Sequence, residues 1–505
     1  MRFTTVVETS NAVAATSSRK EKVALLAECL AGLPEAETQA GVGFLAGEPR
    51  QRPLGVGWAM LRELPPPADE PSLEVTDVDA AFDHVAALSG SGSAAARRAA
   101  LDDLFGRATA PEQAFLRALI TGEVRQGALR AVAADAIAAA FGMKQTDVRR
   151  ALMLLGDPGE TAAIARQQGA EGLRAVELRV GRPVLPMLAG TAPDLAGALE
   201  RILPAAVEWK LDGARIQVHR DGGDVGVYTR SLDDVTSRVP EIVEGVLALP
   251  VTSIVLDGEA IVLREDGRPH PFQVTASRFG RRAPTEELRR ELPLTPLYFD
   301  VLHLDGRQLL DLPGSERAEL MAAALPGELR VPRIVTADPA EAEAFQRDAL
   351  DRGHEGVVVK SLDVPYEAGR RGAGWIKVKP RHTLDLVVLA AEWGHGRRRG
   401  KLSNLHLGAR DGDGFVMLGK TFKGLTDEML AWQTEKLLAL ETGREGIAVT
   451  VRPELVAEIA FDGVQQSSRY PGGVTLRFAR VLRYRDDKRA DEADTLEMVR
   501  SLGPR

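Results

Sequence analysis

A lysine at the end of a strand is the residue of this chain whose type and setting could do the most chemistry. Glu208-Trp209-Lys210-Leu211-Asp212-Gly213-Ala214-Arg215 reads as a strand running into a tight turn. Glu208, Lys210 and Asp212 alternate with Val207, Trp209 and Leu211, which in an extended chain sends the polar set to one face and the apolar set to the other. An amine at the edge of a pocket becomes a nucleophile once burial or nearby cations lower its pKa. Two further cations, Lys377 and Lys379, alternate with Ile376 and Val378 behind Trp375. Both lysines and Trp375 therefore share one face of a strand, where they can disfavour protonation of a third amine and stabilise developing negative charge. Glu259 and Glu355 each stand at the end of a strand-like run. Glu355 and Lys360 are an odd number of residues apart, so a regular strand points them to opposite faces, which ranks Lys360 below Lys377.

These groups need a scaffold, and the chain is long enough for about three domains at 505 residues. The apolar fraction of 44% is that of ordinary globular proteins. No apolar run reaches transmembrane length, and Met-Arg-Phe-Thr-Thr-Val-Val-Glu lacks the apolar centre of a signal peptide. One cysteine, Cys29, rules out an intramolecular disulfide and a four-cysteine zinc site. A cytoplasmic protein without membrane attachment is expected. The net charge of −8 is that of an acidic enzyme. Basic residues nevertheless cluster at Arg281-Arg282, Arg370-Arg371, Arg397 to Lys401 and Arg477 to Arg485, and a local stripe of that kind can meet nucleic-acid phosphates.

The texture changes twice along the chain. Residues 1–181 carry apolar residues at helical spacing, as in Leu25 to Leu33, Ala80 to Leu88, Pro111 to Thr121 and Leu129 to Phe141. Pro65 to Pro71 splits this region into two parts, and Gly122-Glu123-Val124-Arg125-Gln126-Gly127 links two helices. From Gly181-Arg182-Pro183 onwards, short alternating strands dominate: Ala214 to Arg220, Val225 to Thr229, Ile254 to Leu263, Leu297 to Leu304 and Gly356 to Ser361. Helices over Ser315 to Ala324 and Ala340 to Asp351 interrupt them. The pattern predicts an α+β domain with antiparallel sheets over 182–381. Beyond Lys379-Pro380-Arg381, many short strands with glycine turns predict a small barrel over 382–505, with the OB-fold as its form.

Downstream of Lys210-Leu211-Asp212-Gly213, a series of short segments follows in order. They are Tyr228-Thr229-Arg230-Ser231, Leu256-Asp257-Gly258-Glu259-Ala260, Tyr298-Phe299-Asp300, Glu355 to Lys360, Trp375 to Lys379, Leu476 to Arg480 and Arg485 to Lys488. The series resembles the motif set of the ATP-dependent DNA ligases of the nucleotidyltransferase superfamily, of the bacterial and archaeal type with an N-terminal DNA-binding domain. The resemblance is close over the central and C-terminal regions and loose over the N-terminal one. It implies a helical DNA-binding domain (1–181), an adenylation domain (182–381) and an OB-fold β-barrel (382–505). It also implies a monomer acting on nicked double-stranded DNA, with ATP as co-substrate and Mg²⁺ as metal, in replication, repair or recombination.

The same resemblance assigns roles to residues. Lys210 would take AMP from ATP and hold it as a phosphoramidate. Glu208 would lie beside the base, with Arg215 and Arg230 near the ribose and phosphates. Phe299 would stack on adenine, since a flat ring suits any purine. Glu259 would reach the ribose and, with Glu355, the metal. Lys377 and Lys379 would serve the phosphates, and Arg371 would also contact the nucleotide. Arg477, Arg480 and Lys488 would meet the leaving pyrophosphate. Residues 1–180 would serve sealing and leave self-adenylation largely untouched. An RNA ligase or capping-type nucleotidyltransferase shares the lysine motif but not the long helical region ahead of it. A non-catalytic DNA-binding scaffold would not need Lys210, Glu259 and Lys377 intact.

Overall fold

The computed structural model describes residues 1–51, 54–124, 130–280, 286–368, 374–380 and 382–503. It divides into two compact units. The first comprises Met1–Gly190, Ile202–Asp338 and Val358–Ile376, and the second Thr191–Arg201, Pro339–Val357 and Lys377–Arg505.

The first unit begins with the helices α1 (Phe3–Ala15), α2 (Arg19–Gly32), α3 (Thr38–Ala46), α4 (Val75–Ala87), α5 (Ser93–Arg107), α6 (Ala110–Thr121), α7 (Arg130–Phe141), α8 (Gln145–Leu155) and α9 (Pro158–Arg174). Local signals start and stop them. Thr109 and Glu112 form a reciprocal capping box at the head of α6, with Pro111 in its first turn, and Gly122 ends it in the left-handed region at φ 71°. The proline-rich segment between α3 and α4 does not split the helices into two parts. Phe44 before it packs edge-on against Phe82 after it, with centroids 5.9 Å apart, and both belong to one core with Phe3, Leu104, Leu116 and Leu173. Residues on both sides of the segment thus share one core. Arg125 and Gly127 lie outside the described residues.

The strands that follow are β1 (Gly190–Thr191), β2 (Ala205–Lys210), β3 (Ala214–Asp221), β4 (Asp224–Thr229), β5 (Ser253–Val262), β6 (Leu294–Leu304), β7 (Arg307–Gln308), β8 (Arg333–Thr336), β9 (Gly356–Ser361) and β10 (Trp375–Val378). They form two five-stranded sheets, ordered β4-β3-β5-β6-β7 and β1-β10-β9-β2-β8. The β3–β5 pairing is antiparallel and sets Arg215 opposite Glu259. The β2–β8 pairing, also antiparallel, sets Glu208 opposite Arg333. With the intervening helices this is the α+β architecture expected.

A second core joins helices to sheet. Met153 and Leu154 at the end of α8 pack with Leu178, Val255, Leu302, Leu310, Tyr366 and Trp375. The connecting segment 181–187 is held by side chains. The His219 ring accepts from the Gly181 N–H at Nδ1 (3.1 Å) and faces Gln217 Oε1 through Nε2 (2.9 Å). Gln217 in turn bonds both the N–H and the C=O of Val184, and the Tyr228 hydroxyl donates to Gly181 C=O.

The second unit carries β11 (His382–Trp393), β12 (Leu402–Asp411), β13 (Gly414–Thr421), β14 (Glu441–Glu445), β15 (Ala448–Val451), β16 (Val456–Phe461), β17 (Gly463–Gln466), β18 (Val474–Arg477) and β19 (Arg480–Tyr484). One sheet runs β13-β12-β11-β15-β14, with β16 joined to both β11 and β19, and β17 pairs β18 separately. The pairings at this sheet's centre, β11 with β12, β15 and β16, are all antiparallel. A helix over Asp427–Ala439, absent from the sequence reading, adds Leu430 and Leu437 to the sheet's core. Among the described residues, no helix is long and apolar enough to cross a membrane.

Two outcomes follow. Met153→Ala should lower the unfolding free energy by about 2–5 kcal/mol, because the residue fills the core under Trp375 and Tyr366; urea denaturation checks this, and an unchanged midpoint would dissociate the helices from that core. Burial, with the charge of His303 adding to it, pushes His219 down to about 3 from 6.5. The unfolded chain therefore binds a proton that the folded chain refuses between those values, and stability falls as pH drops from about 6.5 towards 3. The slope from this one group approaches about 1.4 kcal/mol per pH unit. His219→Gln should flatten the acid limb of a plot of melting temperature against pH.

Candidate active site

The turn after the lysine is pressed onto the neighbouring sheet. A Cβ on Gly213 would lie 2.4 Å from Ala260 O and 2.5 Å from Ile261 Cγ2, so only glycine allows the approach. Its N–H donates to Glu259 Oε1 at 2.9 Å. The segment Leu256 to Ala260 thereby fixes the end of β2, and Glu259 is held against the turn that follows Lys210. Lys210 itself is half-buried, with Nζ donating to Leu211 C=O at 3.2 Å.

Glu208, two residues earlier on β2, is buried rather than a surface charge. Its Oε2 lies 2.6 Å from Lys360 Nζ and its Oε1 3.3 Å from Arg333 Nη1. Lys360 was ranked low on strand parity, yet it is buried among the candidate residues. It donates to Phe299 C=O at 3.0 Å, and its ammonium stands 4.7 Å from the Phe299 centroid and 4.2 Å from that of Trp375. Glu355 precedes β9, which begins at Gly356 (φ 137°), and bonds Lys379, so it and Lys360 do point to different partners as parity expects. Burial lowers the Lys360 pKa, and the Glu208 carboxylate offsets part of the shift. The two rings meet edge to face, 5.8 Å apart at 87°. Behind them Asp300 and Arg317 form a buried two-pronged ion pair, 2.8 and 3.0 Å.

Arg215 lies over the same rings, 5.3 Å from the Phe299 centroid and 5.9 Å from that of Trp375. It grips Asp257 through Nε (3.0 Å) and Nη2 (2.6 Å) and donates to Met187 C=O through Nη1 (2.8 Å). Lys210, Glu208, Arg215, Glu259 and Phe299 thus all fall in the first unit, on β2, β3, β5 and β6. Lys360, Arg333, Asp257 and Tyr366 join them by contact, although the sequence reading gave none of these a site role. A sequence signal existed for Asp257 in its parity with Glu259 along β5, whereas Arg333 is placed by its pairing across from Glu208.

The remaining candidates fall elsewhere. Arg230 sits on the exposed turn after β4, and no described contact ties it to Glu208 or Arg215. Arg371 lies outside the described residues. In the second unit, Lys377 is half-buried on β10, and Lys379 bonds Glu355 Oε1 at 2.9 Å and Asp462 Oδ2 at 3.3 Å. Arg480 stands 3.7 Å from the same Asp462. Lys488, expected to meet a leaving group, shares Asp385 Oδ2 with Arg485, at 2.7 and 2.8 Å. That pairing gives them a structural task at the start of β11.

Among the described residues, no group of three or more His, Cys, Asp or Glu side chains is gathered to hold a metal ion. Glu259 in the first unit and Glu355 in the second each carry carboxylate oxygens, the ligand type that Mg²⁺ prefers. The first-unit cluster sets Arg215 and the Lys360–Glu208 pair against two aromatic rings, with Lys210 at the end of the strand that carries Glu208.

Comparison with known proteins agrees with this geometry. The family model "ATP dependent DNA ligase domain" matches residues 186–379, "ATP dependent DNA ligase C terminal region" residues 398–488 and "DNA ligase N terminus" residues 59–132. The chain is 59% identical to a "Probable DNA ligase" of Nocardioides sp. strain JS614, over 98% of each chain. It is 58% identical to a "Probable DNA ligase" of Anaeromyxobacter dehalogenans strain 2CP-C, over 99% of each. The solved structure Pmar-Lig_Pre shares the fold at a TM-score of 0.60 and 17% identity, covering 95% of this chain and 99% of its own. An RNA ligase, a capping enzyme and a non-catalytic scaffold are thereby set aside. With these matches spread along its whole length, the chain belongs to the family of ATP-dependent DNA ligases.

Proposed function

We propose that this ligase uses Lys210 as the nucleophile that takes AMP from ATP on the way to sealing nicks in duplex DNA. The reading rests on one observation above others: the lysine ends the strand whose Glu208 is locked beside the Phe299 and Trp375 rings. The Lys210 amine attacks the α-phosphorus, the N–P bond forms, and the bond to pyrophosphate breaks. AMP then passes to the 5′-phosphate of the nick, and attack by the 3′-hydroxyl expels it. Each step is an in-line displacement in which positioning and charge stabilisation carry the catalysis.

The chain's own groups divide the work. Phe299 provides a face for adenine, with Glu208 at the base's edge. Arg215 and Glu259, opposite each other on β3 and β5, serve the ribose and phosphate. Arg230 and Arg371 are further nucleotide contacts. Lys377 and Lys379 act on the phosphates, and for Lys379 this requires leaving Glu355 and Asp462. Glu259 and Glu355 would each offer a carboxylate to Mg²⁺, which would neutralise phosphate charge. The helical region (1–181) binds nicked DNA, the adenylation domain spans 182–381, and residues 382–505 form an OB-fold barrel. The protein acts as a monomer in the cytoplasm, in whichever of replication, repair or recombination leaves the nick.

Lys210→Ala should abolish labelling of the protein by α-phosphate-tagged ATP on a denaturing gel while leaving the melting temperature close to the parent's. A labelled variant would remove Lys210 from its role. Lys360→Met should cost about 3–5 kcal/mol, because it strands a buried carboxylate. Adding Glu208→Gln should recover much of that loss in urea denaturation. Equal losses in the single and double variants would show that the pair carries no buried-charge penalty.

A further inference from the structure

Tyr366 lies in none of the segments that carry the family resemblance, yet it touches more of the candidate site than most residues that do. Its side chain is buried. The hydroxyl donates to Asp257 Oδ2 at 2.6 Å, and accepts from the Met187 N–H at 2.9 Å and from Arg215 Nη2 at 3.4 Å. Its ring meets Trp375 edge to face, 5.9 Å apart at 83°, and Trp375 in turn meets Phe299. Arg215 completes a closed circuit, bonding both Asp257 oxygens and the Met187 carbonyl. The Met187 N–H and C=O are therefore held by two side chains that share one buried carboxylate.

We propose that Tyr366 is the positioning residue for Arg215, locking the guanidinium and the Met187 backbone onto Asp257 so that the arginine meets the nucleotide in one fixed orientation. The proposal rests on the reading of Arg215 as a nucleotide contact. A guanidinium has five N–H groups in a rigid fork. Its contacts with Asp257, Tyr366 and Met187 use four of them, counted as one on Nε, two on Nη2 and one on Nη1. One Nη1 hydrogen is left for a ligand. With its charge balanced by Asp257, Arg215 contributes chiefly a directed hydrogen bond, and a directed bond is worth little if the fork can swing. The hydroxyl stops the swing: without it Nη2 loses its second acceptor, Asp257 a donor, and the Met187 N–H its acceptor.

The test is a binding cycle that does not depend on turnover. A non-hydrolysable ATP analogue, α,β-methylene ATP with Mg²⁺, is titrated calorimetrically into the full chain, Tyr366→Phe, Arg215→Ala and the double variant. Tyr366→Phe should bind about tenfold more weakly, as expected for a lost hydrogen bond to a charged group. Because Tyr366 acts through Arg215, the double variant should bind within about twofold of Arg215→Ala alone. Parent-like binding by Tyr366→Phe, or losses that multiply in the double variant, overturns the proposal. If Tyr366→Phe is unfolded at the assay temperature, Arg215→Lys carries the test. A lysine cannot span Asp257, Tyr366 and Met187 together, so it should show the same loss, and parent-like binding overturns the idea. A parent chain that binds the analogue but forms no lysine–AMP brings down the nick-sealing reading and leaves this proposal to the binding cycle. A parent chain that does not bind it overturns both.

Discussion

Asp257 has no exposed surface, and a carboxylate so deeply set stays charged only if cations and donors enclose it. Arg215 and Tyr366 supply them, and in doing so each is fixed in turn. Much of the first unit's site hangs on this one requirement. Arg215 comes from β3, Asp257 from β5, Tyr366 from the stretch after β9 and Met187 from the segment that leads out of the helices. Four pieces distant in sequence are drawn to one point because a single negative charge must be satisfied there. Removing the charge and its partners together would relax the requirement; removing one partner would leave the rest unsatisfied.

The same logic recurs a few residues away. Glu208 is buried between Lys360 and Arg333, and Asp300 faces Arg317. Each cation near the Phe299 and Trp375 rings thus has a carboxylate, and the pocket's positive charges are largely balanced. Recognition of a polyanion by such a pocket depends on where its hydrogens point more than on its net charge. In the second unit, Lys379 is likewise balanced, held by Glu355 and Asp462.

Strand-scale alternation made much of this legible. Lys210, Glu208 and the β5 motif were found because their spacing in an extended chain is unambiguous, and because helices and strands here follow local pattern closely. Three things were hidden. Lys360 was hidden because its partners, Glu208 and Phe299, lie far from it in sequence. The proline-rich segment after α3 looked like a division, since nothing local tells that Phe44 and Phe82 will meet across it. Tyr366, Asp257, Arg333 and Arg317 were overlooked because their importance lies in contacts between residues 17 to 179 positions apart, which no window along the chain can contain.

Asp385 carries a consequence for how the second unit comes to be folded. Besides Arg485 and Lys488, its backbone exchanges bonds with Asp494: the Asp385 N–H reaches Asp494 Oδ2 at 2.7 Å, and the Asp494 N–H reaches Asp385 C=O at 2.9 Å. The strand that carries Asp385, β11, lies in the middle of its sheet, between early and late neighbours. Closing a loop of about a hundred residues adds little entropy cost beyond that of a shorter one, but non-local pairings of this kind are slow to form. During synthesis, β11 leaves the ribosome first, β12 follows on one side, and β15 and β16 come later on the other, with the groups that bond Asp385 last of all. One edge of β11 therefore lacks its native partners until the later strands are translated.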